Sequence, residues 1–385
     1  MTDKLFYKSV TDSEFDAVVR GCEEKNGKYE IILDRTLFYP EGGGQPPDFG
    51  TLGEAWVSDV QDVNDEVVHY CDKPLEVGST VHGKVEMLRR HTLMQQHSGE
   101  HIVSGLIHNK FGYDNVGFHM GSDCITIDFN GPLTEKDLEE IEKKANAAIY
   151  ADFEPHIFVP SPEELKKVEY RSKKELEGDV RIVSFGECDT CACCGLHVQH
   201  TGEIGVIKIT GFQKYKGGTR VTMLSGRQAY EDYAVKDKMV HGISTLLSAK
   251  EYDVQKAVEK LMNDRNEIKE KLVEVKKQLF ELKRDMVADD AKFVLLFEDG
   301  LEPFELRLFA EMLSEKTGNA AVLCGNDEEG YKYAIAGKKL DIGAFIKEAN
   351  KALNGRGGGK NGMVQGSFAA KREEIEKYLW NGLNL

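Results

Sequence analysis

The chain has 385 residues, 41% hydrophobic and 30% charged, too long for one small core and in keeping with two to four globular domains of an ordinary soluble protein. Its net charge of −16 excludes a general nucleic-acid coat protein, because phosphate binding depends on Lys and Arg releasing counterions, so any RNA contact must use local basic patches. The start MTDKLFYKSV has no apolar signal region and no run of about eighteen or more apolar residues occurs, so we expect a cytoplasmic protein with no membrane partner.

Residues 1–85 alternate short β-rich runs with turn residues, as in Lys28 to Asp34, and predict a β-barrel-like N-terminal lobe. The Gly and Pro cluster from Glu41 to Gly50 reads as a loop between strands. From Glu86 to about Phe111, Leu93, Val103, Leu106 and Ile107 recur among polar residues and predict a helix, which puts His97 and His101 on one face. An acidic helical segment from Leu133 to Tyr150 and the apolar run Ile204 to Thr210 belong to an α+β domain over 86–228.

Val254, Val258, Leu261, Arg265, Ile268, Leu272, Val275, Leu279, Leu282 and Met286 then step by alternating fours and threes, a heptad seam with one charged interruption. Such a seam fits a coiled coil that makes a homodimer, and equally a long helix packed within its own chain. After Asp290 the runs Lys292 to Phe297 and Ala320 to Cys324 read as buried strands, with Glu305 to Thr317 as a crossover helix. Gly355 to Gly362 reads as a glycine-rich loop before a final helix. The expected fold is thus α+β multidomain: a lobe over 1–85, a zinc-bearing domain over 86–228, a helical or coiled-coil linker over 229–290, and an α/β glycine-rich domain over 291–385.

Four of the eight cysteines, Cys188, Cys191, Cys193 and Cys194, crowd into one short stretch, which in a long cytosolic chain reads as metal or redox chemistry rather than a disulfide framework. Cys22, Cys71, Cys124 and Cys324 are isolated and read as small buried hydrophobes. The informative pattern is His97-Ser-Gly-Glu-His101 followed, almost a hundred residues later, by Cys193-Cys-Gly-Leu-His197. Imidazole and thiolate are the ligands zinc prefers, and the two pairs complete a tetrahedral set. Ser98 stands where a zinc peptidase needs a glutamate base, which disfavours a peptidase. An all-cysteine site lacks a second C-x-x-C knuckle, although Cys188, Cys191, Cys194 and His200 stay open as alternative ligands.

Thr36 to Gly50, Met94 to His101 and Cys193 to Gly205 resemble, in order and spacing, the editing domain of alanyl-tRNA synthetases and the free-standing alanyl-tRNA editing family called AlaX. Gly357 to Gly366 is similar to the signature of the C-terminal domain that those synthetases share with DHH-type phosphoesterases. The likeness covers nearly the whole chain and is greatest to the long form of AlaX. It implies zinc bound by His97, His101, Cys193 and His197, and an amino-acid pocket lined by Thr36 and Gln45. It departs at Cys194 and Leu196, where the family commonly has Gly and Thr, so Cys194 is a competitor for metal and the pocket wall can differ.

The implied reaction is hydrolysis of the ester of mischarged Ser-tRNA(Ala), with Gly-tRNA(Ala) as a second candidate substrate. Serine differs from alanine by a hydroxyl that an apolar pocket rejects only about a hundredfold, and Thr36 is the expected partner of that hydroxyl. No segment matches the adenylating core of a class II synthetase, and no Walker-type loop occurs, so editing is expected in trans. Lys214, Lys216, Arg220, Arg227, Arg356 and Lys360 are the expected tRNA contacts, against the plainer alternative of a solvated charged face. The competing function is a non-catalytic tRNA-binding protein with a structural zinc. The carboxylate-rich metal motif of a phosphoesterase is not evident.

Overall fold

The computed structural model describes residues 1–121, 123–172, 180–337, 342–360 and 362–383. They divide into two compact units, Met1–Gly242 and Ile243–Leu385. The first unit begins with a closed barrel whose strands, in spatial order, are Glu14–Lys25, Lys28–Leu33, Glu66–Cys71, Ala55–Val63, Gly50–Leu52 and Thr80–Val85. Alternation drives it: Phe15, Ala17 and Val19 on the first strand and Val81 and Val85 on the last point inward, while their neighbours face water.

Helix α1 (Met87–Phe111) follows the last barrel strand directly. It packs with helix α2 (Glu135–Tyr150), whose start is held by the Thr134 and Asp137 capping box, against an antiparallel sheet. That sheet runs Ile207–Tyr215, Gly218–Ser225, Ile125–Phe129, Asn115–Met120. A smaller sheet is formed by His156–Phe158, Ile182–Ser184 and Thr190–Ala192, with a single turn of helix, α3 (Pro162–Leu165), between its first and second strands in the chain. One hydrophobic core extends from Phe6 through Ile102 and Phe129 to Met223. The stretches 1–85 and 86–228 therefore share a core inside one compact unit.

What joins barrel to helix is polar. Arg90 and Asp48 are both fully buried, and Asp48 Oδ2 accepts from Arg90 Nη2 at 2.5 Å, from Arg90 Nε at 3.1 Å and from the Tyr39 amide at 2.7 Å. Arg90 also donates to the Leu37 carbonyl. Both ends of the glycine-rich segment are thus tied to the first turn of α1.

Helix α4 (Arg227–Leu247) contains the boundary between the units, and α5 (Val254–Asp285) follows after a short 3-10 turn. The second unit is a five-stranded sheet in the order Phe293–Phe297, Asn319–Asn326, Gly330–Gly337, Met363–Phe368, Arg356–Lys360. Its first two strands are parallel and bridged by helix α6 (Pro303–Thr317). Helices α7 (Ile342–Ala352) and α8 (Arg372–Leu383) supply Ile346 and Leu379 to the core on the other side from α6. Phe280 of α5 is buried, stacked on Phe309 of α6 with ring centroids 4.3 Å apart.

Two expectations change. Most of the segment read as a glycine-rich loop is an edge strand, with Arg356 to Lys360 paired to Ser367 through Met363, because cross-strand pairing overrides the weak strand preference of glycine. Along α5 the heptad residues Leu261, Ile268, Leu272, Val275, Leu279 and Leu282 are exposed, so the seam is not packed within its own chain among the described residues. No helix among the described residues is long and apolar enough to cross a membrane.

Arg90→Ala strands Asp48 without a counter-charge and is expected to lower the free energy of unfolding by about 3–5 kcal/mol in a denaturant titration. Lys110→Ala, which breaks an exposed pair with Glu140, is expected to change it by about 0–1 kcal/mol.

Candidate metal centre

His97 and His101 stand one turn apart on α1, and the loop Cys193 to His197 leaves the strand Thr190–Ala192 to meet them. The ligating atoms of His97, His101, Cys193 and His197 all lie within 4.8 Å of one another. The three imidazoles are oriented alike. His97 Nδ1 donates to Gln45 Oε1 at 3.0 Å, His101 Nδ1 donates to Asp189 Oδ2 at 2.8 Å, and His197 Nδ1 lies 3.2 Å from Ser98 Oγ. Each ring therefore turns its Nε2 toward a common centre, the way outer partners orient metal-binding histidines. His97 Nε2 is 3.5 Å from the Cys193 sulfur, and His197 Nε2 is buried with no protein hydrogen bond. Three imidazole nitrogens and a sulfur, one nitrogen orphaned and buried, fit a bound metal ion.

Glycine makes the approach possible at two places. Gly43 and Gly44, at φ +60° and +84°, form a tight turn closed by reciprocal bonds between the Gly42 and Gln45 backbones at 2.9 and 3.1 Å, and this turn aims Gln45 at His97. At Gly195 a Cβ would lie 2.1 Å from His97 Cε1, so a side chain there would displace the ligand. The loop is clamped from outside: Arg181 donates to the carbonyls of Cys193 and Gly195 at 2.8 and 2.9 Å, and Leu196 N–H donates to Gln45 Oε1 at 2.9 Å.

Charge follows the same plan. Burial opposes ionisation of the Cys193 thiol, but His97 and His101 outweigh it and hold it well below its ordinary range. Burial pushes the His197 imidazole down to about 3, leaving it in its neutral, ligating form. Burial also disfavours charge on His101, yet Cys193 and Asp189 prevail and raise it well above its usual value. Cation binding must therefore release the His101 proton, and affinity falls as acidity rises.

The cluster faces a cavity of about 950 Å³ lined by His97, His101 and Cys193 together with Glu100, Phe118 and Arg181. Gln45 does not line it and instead holds His97. Thr36 is not among the described residues that line this cavity. It is fully buried in the barrel, where its hydroxyl donates to His69 Nε2 at 2.8 Å and accepts from the Phe38 amide at 3.0 Å. His69 can accept because its Nδ1–H donates to the Ile31 carbonyl at 3.0 Å and because burial pushes it down to about 4, keeping it neutral. The only proton of the Thr36 hydroxyl is thereby engaged.

Among the alternative ligands, Cys191 forms a second, overlapping group with His101 and Asp189, whereas Cys188, Cys194 and His200 belong to neither group. Lys214 and Lys216 are exposed at the tip of a hairpin. Arg220 is bound bidentately to Asp128 at 2.6 and 2.7 Å with its guanidinium over the Tyr215 ring. Arg227 pairs with Glu231 at 2.7 Å, and Arg356 and Lys360 are exposed on the glycine-rich strand. Sequence reasoning missed Asp189, Ser98, Glu100 and Arg181. The first three lie inside the ligand motifs or the cysteine cluster, whereas nothing local marks Arg181.

Residues 180–222 match the Threonyl and Alanyl tRNA synthetase second additional domain, residues 290–381 the DHHA1 domain, and residues 3–89 the tRNA synthetases class II (A) model. The last match falls on the barrel and departs from the expectation that no segment matches a class II synthetase. The chain is 27% identical to the alanyl-tRNA editing protein AlaX-L of Pyrococcus horikoshii, covering 97% of this chain and 96% of that one. It is 28% identical to the alanyl-tRNA editing protein Aarsd1 of Danio rerio, over 95% and 94%. It is 29% identical to the alanine–tRNA ligase of Methanobrevibacter smithii over 95% of this chain, but it spans only 44% of that enzyme's length.

Asp189 also accepts from Arg171 Nε at 2.7 Å, so His101 is held by a carboxylate that is itself fixed. Asp189→Asn is expected to weaken metal affinity about 10–100-fold in competition with a chelator while leaving far-UV circular dichroism unchanged.

Proposed function

We propose that this chain, which belongs with the alanyl-tRNA editing proteins it matches from end to end, is a trans-acting deacylase. It cleaves the ester of mischarged Ser-tRNA(Ala), with Gly-tRNA(Ala) as a second substrate, and holds zinc with His97, His101, Cys193 and His197. The observation that carries this reading is the opening of the oriented three-imidazole, one-thiol cluster onto a cavity large enough for an aminoacyl ester. When bound, zinc supplies a Lewis acid that polarises an ester carbonyl and acidifies water.

The chain's own residues do the rest. Gln45, Asp189 and Ser98 fix the three rings, Arg181 fixes the loop that presents the thiol, and Phe118 stacks beside His97, with ring centroids 5.6 Å apart, as part of the cavity wall. With Thr36 engaged by His69, serine selectivity is assigned to groups lining the cavity. Lys214, Lys216, Arg220, Arg227, Arg356 and Lys360 are the candidate tRNA contacts, and we assign editing to residues 86–228 backed by the 1–85 lobe. The exposed seam of α5 is read as a homodimer face within the 229–290 helical segment, with 291–385 as an RNA-binding domain. A second reading, a tRNA-binding protein with purely structural zinc, draws on the completeness of the four-ligand protein set.

Purified, zinc-loaded protein is expected to release serine from Ser-tRNA(Ala) at least about tenfold faster than alanine from Ala-tRNA(Ala), and His97→Ala to abolish release with the fold retained. Release of neither amino acid leaves the second reading. Native mass measurements across micromolar concentrations are expected to give a dimer, and a strict monomer removes the role assigned to α5.

A further inference from the structure

Resting on the deacylase reading, we propose that Arg181 binds the phosphate that joins the esterified ribose to the rest of the tRNA, so that the cavity selects a nucleotide ester over a simple amino-acid ester. Volume is the first argument. The cavity of about 950 Å³ is far larger than a seryl group and matches the roughly 300–1,000 Å³ of sites that enclose whole small ligands, so the alcohol half of the ester has room beside the metal cluster. Its lining is of two kinds. His97, His101 and Cys193 are joined by Tyr7, Ile157, Val159 and Val180, an apolar set that suits a heterocyclic base.

Two guanidinium groups also line this cavity, and they differ. Arg171 is neutralised by Asp189 at 2.7 Å. Arg181, half-buried, pairs with no carboxylate among the described residues: its bonds go to the carbonyls of Cys193 and Gly195 at 2.8 and 2.9 Å, and its guanidinium carbon lies 5.1 Å from the centre of the Tyr7 ring. Both bonds leave from Nη1 and use its two hydrogens. The Nε and Nη2 edge, the fork that takes two phosphate oxygens, has no hydrogen bond to the described residues. A cation held only by carbonyl dipoles and a ring favours an anionic ligand. Arg181 also accepts at its own carbonyl from the Cys193 amide at 3.0 Å, so it stands beside the thiol of the cluster. The loop that presents the thiol therefore also positions the guanidinium. In an aminoacylated nucleotide one ribose separates the ester from the phosphate, and an ester at the cluster puts that phosphate next to Arg181.

The test uses zinc-loaded protein on the seryl ester of AMP and the seryl ester of adenosine, each esterified on the ribose, with Ser-tRNA(Ala) alongside and zinc content measured on each preparation. Wild type is expected to favour the AMP ester by about tenfold or more in kcat/KM, mainly through KM. Arg181→Gln is expected to slow both esters, because the loop loses its clamp, and to bring the ratio between them toward one. A purely structural role lowers both rates and leaves the ratio, so a variant that keeps the preference overturns the proposal, as do equal wild-type values. Should Arg181→Gln lose zinc or fail to fold, Arg181→Lys takes its place: lysine keeps a cation without the fork, the preference is expected to fall several-fold, and an unchanged preference overturns the assignment. If wild type acts on Ser-tRNA(Ala) alone, AMP and adenosine are compared as inhibitors, with equal inhibition overturning the phosphate site. Release of serine from none of the three substrates removes the deacylase reading itself, an outcome distinct from hydrolysis without discrimination.

Discussion

The metal cluster depends on a buried ion pair that touches no ligand. Arg90 and Asp48 lie where barrel strand passes into α1, both side chains fully buried. A pair so placed tolerates little movement, because displacing either partner leaves a charge in a low-dielectric interior. Asp48 closes the glycine-rich segment and Leu37 opens it, so Arg90 holds both ends at a set distance from the helix. Between them Gly43 and Gly44 turn Gln45 onto His97. A charge pair at the start of α1 thereby fixes the orientation of an imidazole two turns further on.

The middle of α1 is unusual for a helix in a core, since Gln95, Gln96, His97, Ser98, Glu100, His101 and Ser104 are all buried. Such a helix is stable only if its polar groups find partners, and most of the bonds go to distant segments. Gln95 reaches the Glu203 carbonyl, Ser98 the Val198 amide, His101 Asp189 and Glu100 Asn115. Satisfying the helix and assembling the site are thus the same act. Polar residues that weaken α1 as an isolated element gather the cysteine loop, the small sheet and the barrel around it.

The second unit follows a simpler logic. Its βαβ start and apolar strands bury in the ordinary way, and the glycines of Arg356–Lys360 let an edge strand lie close along Met363–Phe368 while leaving Arg356 and Lys360 in solvent. Helix α5 is secured to this unit by Phe280, by Lys276 with Glu305 at 2.8 Å and by Lys283 with Glu298 at 2.5 Å. Its heptad residues point away from those contacts and stay exposed.

From sequence alone, the helix from 87, the strands around the crossover helix and the grouping of His97, His101, Cys193 and His197 could be read, since i to i+4 spacing and apolar periodicity are local properties of the chain. Sequence did not reveal which polar side chains stand behind the ligands. Asp189 stands unmarked within the cysteine-rich stretch and Gln45 and Thr36 read as pocket residues, whereas the fold bonds Asp189 to His101, Gln45 to His97 and Thr36 to His69. Those roles belong to the tertiary structure, because a buried polar group takes whichever partner the packing brings within hydrogen-bond reach, here from 33 to 88 positions away.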